Sequence, residues 1–337
     1  MGRPDLDKQL RPYTGDPRWV QRRLARERAA RQRRILIRSM IALVVIGVAA
    51  GAWTRIGGIP HSRGSSGEKP ATHAAPLPNL PDGGRVILPR TRVVAFYGAP
   101  QEAGLGALGV GTPAQAGARL LRVAAGYRTS RPVLPAMELI ATVVQASPGA
   151  SGLYRARQSS AVIARYLAAA RRIHGLLILD IQPGQAPFMS EVRAYARWLR
   201  QPDVGIALDP EWSLRPGQAP GTVIGSTTAA VVNRVGAYMS SIVTANNLPQ
   251  KLLIVHRFTN DMIANARTLA PHPGVALVVN VDGYGDRLNK VAKYDLFATH
   301  RPGRFNGFKL FYHEDTDLMG PRSVLRLIPP PDVIVYE

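Results

Sequence analysis

Eight short runs of Val, Ile and Leu recur between residues 93 and 336, each separated from the next by a segment long enough for a helix. They cover 93–97, 137–144, 176–180, 204–208, 252–256, 275–282, 308–313 and 333–336. Continuous apolar runs, rather than alternating apolar and polar ones, are what a parallel sheet buried on both faces requires. Between them, apolar residues at helical spacing predict helices over 112–124, 160–173, 187–199, 228–246, 260–269 and 286–298, with a shorter one near 323–327. Thr112-Pro113 opens the first of these with a capping residue followed by Pro at the first helical position. Eight strands and seven helix-sized connections predict an α/β fold, a (β/α)8 TIM barrel that ends on its last strand.

Connection lengths mark the working end of such a barrel. The helix-to-strand links, such as His174-Gly175, Gln201-Pro202-Asp203 and Leu248-Pro249-Gln250, are short, whereas the strand-to-helix stretches 98–111, 145–158 and 209–227 are long. Barrel sites are assembled by these longer loops at the C-terminal ends of the strands. Ionisable and aromatic residues collect at those ends: Tyr97, Asp180, Asp209, Glu211, His256, Asn280, Asp282, His313, Glu314 and Asp315. A carboxylate facing into a packed barrel is costly unless it is paired, hydrated or used.

The fourth run stops on Asp209-Pro210-Glu211-Trp212. If the strand continues, Asp209 and Glu211 point to the same side. Closely spaced carboxylates push their pKa values apart, which lets one act as an acid and the other as a base or nucleophile. The plainer alternative has Asp209 capping the following loop and Glu211 solvated.

The Asp-x-Glu element at the end of the fourth strand resembles that of chitinase-like (family 18) glycoside hydrolases. The resemblance implies Glu211 as the general acid and Asp209 as the group that orients a substrate acetamido. It departs from the family pattern at Gly205 and Ala207, where further Asp residues are expected, and at Pro210. The plan also resembles larger barrel glycosidases with a seventh-strand nucleophile, a role Glu314 could fill, and uncharacterised exported bacterial proteins of similar length.

Protonating a glycosidic oxygen and stabilising an oxocarbenium-like centre needs two carboxyl groups, or one and a substrate amide. Glu211 is the candidate acid, with Asp209, Asp180 and Asp282 competing for the partner role. Trp212, Tyr97, Tyr284 and Tyr312 offer flat faces for a sugar, and His256, Asn280, His313 and Glu314 offer polar contacts. No cofactor and no resident metal are expected on this reading. Under the alternative of a metal-dependent phosphodiesterase, Asp180, Asp209, Glu211, His256 and Asp282 would hold Mg, Mn or Ca. A catalytically silent glycan-binding barrel is the third reading. Gly104-Leu105-Gly106-Ala107-Leu108-Gly109 matches a dinucleotide fingerprint, but it sits too far from both strand and helix to bring a pyrophosphate to a helix N-terminus; a mobile loop is the expectation there.

Charge and hydropathy divide the remainder. The formal net charge of +21 is concentrated at the start: residues 1–38 carry twelve Lys or Arg against four Asp or Glu. Residues 39–54 carry no charge, and with Ile35, Leu36 and Ile37 they reach the roughly 20 residues that cross a hydrocarbon core of about 30 Å. The chain therefore divides into a basic cytoplasmic segment 1–34, a transmembrane anchor 35–54 in contact with the lipid bilayer, a flexible linker 55–90 rich in Gly, Ser, Pro and His, and a barrel domain 91–337. By the positive-inside rule the barrel lies outside the cytoplasm. Ala50-Gly51-Ala52 resembles a cleavage site, so a secreted form is the alternative. A cell-envelope glycan, rather than nucleic acid, is the expected partner. Cysteine is absent, which excludes disulfides, thiolate nucleophiles and Cys-ligated zinc.

Overall fold

The computed structural model describes residues 77–337. The basic segment 1–34, the expected anchor 35–54 and the greater part of the linker lie outside the described residues. Among the described residues, no helix is long and apolar enough to cross a membrane.

Eight parallel strands close into a barrel: β1 (Arg92–Gly98), β2 (Val133–Val144), β3 (Leu176–Ile181), β4 (Val204–Leu208), β5 (Lys251–Arg257), β6 (Val275–Val281), β7 (Arg304–Leu310) and β8 (Val333–Tyr336). Closure is made by β1, which pairs with β2 on one side and with β8 on the other through Val93↔Val333 to Phe96↔Tyr336. The eight expected runs are these eight strands, in order.

Helices α1 (Pro113–Ala125), α2 (Ser160–Arg172), α3 (Phe188–Ala194), α4 (Ala196–Leu199), α5 (Ala229–Ala245), α6 (Arg287–Phe297) and α7 (Pro321–Val324) surround it. The Thr112 hydroxyl accepts from the Gln115 backbone N–H while the Gln115 side chain reaches back to Thr112, a full capping box with Pro113 at the first helical position. The Ser159, Thr228 and Asp286 side chains cap α2, α5 and α6 by accepting from the backbone N–H groups of Val162, Val231 and Asn289.

Two helical expectations are corrected. The segment 187–199 is broken at Tyr195, whose hydroxyl donates to the Ala141 carbonyl at 2.7 Å and meets Thr142 at 2.9 Å. Over 260–269 no α-helix forms. Ile263–Ala264 instead pairs in parallel with Thr227–Thr228, Asn265 takes a left-handed conformation (φ 57°), and one 3-10 turn, Ala266–Thr268, follows. Asn260, Asp261 and Asn265 offer local hydrogen bonds that compete with a helix, and the strand pairing settles the competition. The fifth connection thus lacks its helix.

The strand β2 outruns β1, and its free end recruits Arg155–Arg157 as an antiparallel strand within the long loop that follows. Glu191 of α3, wholly buried, holds that strand through Arg155 Nε at 3.0 Å and Arg157 Nε at 2.7 Å. At the opposite, N-terminal end of the barrel, Leu80, Ile87 and Leu88 pack into the interior, and the Gln250 side-chain oxygen accepts from the backbone N–H groups of Ile87 and Leu88 at 2.7 and 2.9 Å. Residues 78–90, assigned to the linker by composition, therefore cover the floor of the barrel. Burial of Leu80, Ile87 and Leu88 decides the boundary there, which Pro and Gly content cannot show.

Candidate active site at the barrel mouth

The interior of the barrel is apolar at its floor and polar or charged at its mouth, and the change falls at the same step of the alternation in every strand. The interior cluster includes Ala95, Ala136, Ile178, Ala207, Ile254, Val278 and Val335. Two residues onward, where a strand returns a side chain to the same face, stand Tyr97, Glu138, Asp180, Asp209, His256, Asn280 and Glu337. On β7, Gly307 is followed in the same way by Lys309. Glycine at 307 is required by this packing: a Cβ there would collide with the Asn280 side-chain oxygen on the neighbouring strand.

His256 lies at the centre. Its Nε2 is 2.8 Å from Glu138 Oε1 and 3.7 Å from Asp180 Oδ1, and its Nδ1 is 3.0 Å from Asp282 Oδ2. Burial disfavours charge on the ring, but the Glu138 carboxylate and the hydrogen bonds with Asp282 and Glu138 prevail and lift its pKa well above the ordinary value. Lys309 Nζ is 3.3 Å from Asp282 Oδ2 and 2.8 Å from Glu337 Oε2, and lies 3.7 Å from the centre of the Tyr97 ring. Burial works against that ammonium too; Asp282 and Glu337 overcome it and raise its pKa. Asp282 would be raised by burial alone, but Lys309 and the His256 hydrogen bond hold its carboxyl far below the usual range.

Asp180 behaves oppositely. Burial raises its carboxyl well above the ordinary value, the charge of Asp209 adds to this, and His256 only partly opposes it. The Tyr97 hydroxyl donates to Asp180 Oδ2 at 3.1 Å and accepts from Gln182 Nε2 at 2.9 Å. Glu138, Asp180, His256 and Asn280 are fully buried, whereas Asp209, Glu211 and Asp282 retain slight exposure.

The Asp209-Pro210-Glu211-Trp212 run differs from its expected geometry. The strand β4 ends at Leu208, and Pro210–Trp212 forms a 3-10 turn, because Pro210 has no N–H with which to extend the ladder. Asp209 and Glu211 are therefore not related by strand alternation. Nor is the plainer reading met: the Asp209 side chain does not cap the turn, and Asp209, Glu211 and Trp212 are 3%, 8% and 3% exposed.

The structure brings Tyr97, Asp180, Asp209, His256, Asn280 and Asp282 into one network and places Glu211 and Trp212 in the turn beside it. It leaves others outside. The strand β7 stops at Leu310, so His313 is exposed and Glu314 falls in the turn beyond the strand; the inward group on that strand is Lys309. Tyr284 stands edge-on to Phe311 at 6.0 Å. Asp315 braces loops: it accepts from the Gly285 and Phe311 N–H groups and pairs with buried Lys290 at 3.1 Å. The glycine-rich segment forms two 3-10 turns packed on β1, where a Cβ at Gly106 (φ 108°) would lie 2.6 Å from the Tyr97 carbonyl oxygen and one at Gly109 would overlap the Glu102 carbonyl oxygen; these two glycines admit backbone.

Sequence reasoning missed Glu138, Lys309 and Glu337. The available signal was a charge interrupting an apolar strand at an inward position, as in Ala136-Met137-Glu138-Leu139-Ile140. Among the described residues, one group of His and carboxylate side chains has metal-ligand spacing, with one ligand atom each from Glu138, Asp180 and His256 within 4.8 Å of one another.

No protein-family model matches the chain, and no curated protein matches it.

Proposed function

We propose that this chain is a glycoside hydrolase acting on a cell-envelope polysaccharide, held to the membrane by residues 35–54 with its barrel outside the cytoplasm. The observation that carries this reading is the burial of Asp209, Glu211 and Trp212 at the end of the fourth strand, beside a network of interacting charged groups. In this reading Glu211 is the acid that protonates the leaving oxygen. Asp209, electrostatically tied to both Asp180 and Lys309, orients the substrate or stabilises the developing positive charge. Asp282 is the second carboxylate with access from the mouth. Tyr97 and Trp212 supply apolar faces for the sugar ring. The anchor and its orientation rest on the uncharged stretch 39–54 and the basic residues before it.

The test is release of reducing ends from a panel of envelope polysaccharides by the purified full-length chain. Glu211→Gln is expected to abolish release while leaving polymer binding in place, and Asp209→Asn to lower turnover sharply. Absence of turnover on every glycan overturns the reading. Turnover of phosphodiester polymers that vanishes with chelator replaces it with metal-dependent phosphodiester hydrolysis.

A further inference from the structure

Beneath the residues that would meet a sugar lies a set of groups with no part in that chemistry. Glu138 and Asp180 face His256 Nε2 from β2 and β3, all three side chains wholly buried. Glu138 Oε2 and Asp180 Oδ1 are buried oxygens without a hydrogen-bond partner. Leaving a carboxylate oxygen unsatisfied at such depth costs free energy that ordinary folds avoid. One imidazolium proton serves Glu138 Oε1 and leaves those two oxygens unserved.

We propose that Glu138, Asp180 and His256 form a binding site for a divalent transition-metal ion, Zn2+, within the barrel. His256 Nε2 to Glu138 Oε1 is 2.8 Å and to Asp180 Oδ1 is 3.7 Å. These separations bracket the edge of roughly 3.3 Å that a tetrahedral ion with bonds of about 2.0–2.1 Å would impose. The imidazole selects a borderline ion over Ca2+ or Mg2+, which prefer all-oxygen shells of six or more. Outer partners are in place. His256 turns its other ring nitrogen to the Asp282 carboxylate at 3.0 Å, the carboxylate–histidine–metal arrangement that fixes ring orientation. Tyr97 steadies Asp180 through the oxygen that does not face His256. The sequence spacing of 138, 180 and 256 hides the set because each ligand comes from a different strand.

This inference stands apart from the glycosidase reading, since its measurement is metal content and not turnover. The full-length chain, stripped with chelator and dialysed, is titrated separately with ZnCl2, MnCl2, CaCl2 and MgCl2. About one equivalent of Zn2+ per chain is expected by elemental analysis, with weaker uptake of Mn2+, Ca2+ and Mg2+. The thermal midpoint should rise by about 5–10 °C at a hundredfold excess over Kd, and Co2+ should give a visible absorption band. Glu138→Gln and Asp180→Asn, which preserve shape, are each expected to weaken binding at least tenfold. Should either fail to fold, Tyr97→Phe, which removes only the outer hydrogen bond, is expected to weaken it about tenfold. Failure of the wild type to take up Zn2+ overturns the proposal. Undiminished binding by the folded variants, which would put the ion elsewhere in the chain, overturns it equally.

Discussion

His256 Nε2 stands 2.8 Å from Glu138 Oε1 across 118 residues of chain, with both side chains excluded from solvent. The two strands that carry them, β5 and β2, are not neighbours in the sheet, so the contact crosses the barrel interior. A charged pair in this position stabilises little relative to an apolar filling, but losing one member leaves the other stranded.

In the presence of chelator, Glu138→Ala is accordingly expected to destabilise the fold by about 3–5 kcal/mol. Glu138→Gln, which keeps a hydrogen-bond acceptor for the ring, should cost about 1–2 kcal/mol. Urea unfolding monitored by tryptophan fluorescence separates the two, and equal small losses would show that the contact carries no specific role.

Lys251, almost fully buried near the barrel floor, donates to the carbonyls of Gln201 at 2.6 Å and Val204 at 2.9 Å. Burial lowers its pKa to about 7, with Asp203 opposing only in part, against about 10.4 for a lysine in an unfolded chain. Between these values the unfolded chain holds a proton that the folded chain has released, so stability rises with pH from about 7 to about 10. The contribution approaches about 1.4 kcal/mol per pH unit within that window. His256, whose pKa is raised, contributes a slope of opposite sign above its ordinary value, so the Lys251 contribution is read as a difference: thermal midpoints from pH 6 to pH 10 should rise less, or fall more, with pH in Lys251→Met than in the wild type, and an identical pH profile in the variant would refute the assignment.

Gly307 makes room for Asn280. Gly307→Ala should cost about 1–3 kcal/mol by overpacking, because the new Cβ meets the Asn280 side-chain oxygen and, at 3.0 Å, its Cα. The double variant Gly307→Ala, Asn280→Ala relieves the first clash, and a coupling of about 0.5–3 kcal/mol is expected in the mutant cycle. Additive losses would mean that the two positions do not meet.

Glu191 holds the strand Arg155–Arg157 against β2 by three hydrogen bonds, from Arg155 Nε, Arg157 Nε and Arg157 Nη2 at 3.0, 2.7 and 2.9 Å. Glu191→Gln should weaken these by about 1–3 kcal/mol and free the loop 145–158 locally. Trypsin cleaves after arginine, so cuts at Arg155 and Arg157 are expected several-fold faster in the variant at a temperature where the barrel remains folded. Equal cleavage rates would show that the strand is held by β2 alone.

How much of this was legible before the fold was known depends on the range of the interaction. Apolar runs, capping residues such as Thr112 and the asymmetry of loop lengths are local, and they determined the barrel, its strand order and the end at which the charged groups collect. Tyr97, Asp180, Asp209, His256 and Asn280 were legible because each closes an apolar run. Glu138 and Lys309 were not: Glu138 lies in the middle of β2, and the apolar residues Leu310 and Phe311 after Lys309 carry the apparent run past the end of β7 to His313.

Tertiary structure alone decided which of these groups meet. Strand alternation tells each side chain only whether it faces the interior, whereas barrel closure places eight inward positions around one axis, so Glu138 finds His256 and Lys309 finds Asp282 and Glu337. It also overrode local preference: the segment 260–269 gave up its helix for pairing with Thr227–Thr228. Sequence periodicity is set within a few residues, but the free energy of a buried charge is set by groups that closure brings from opposite walls of the barrel.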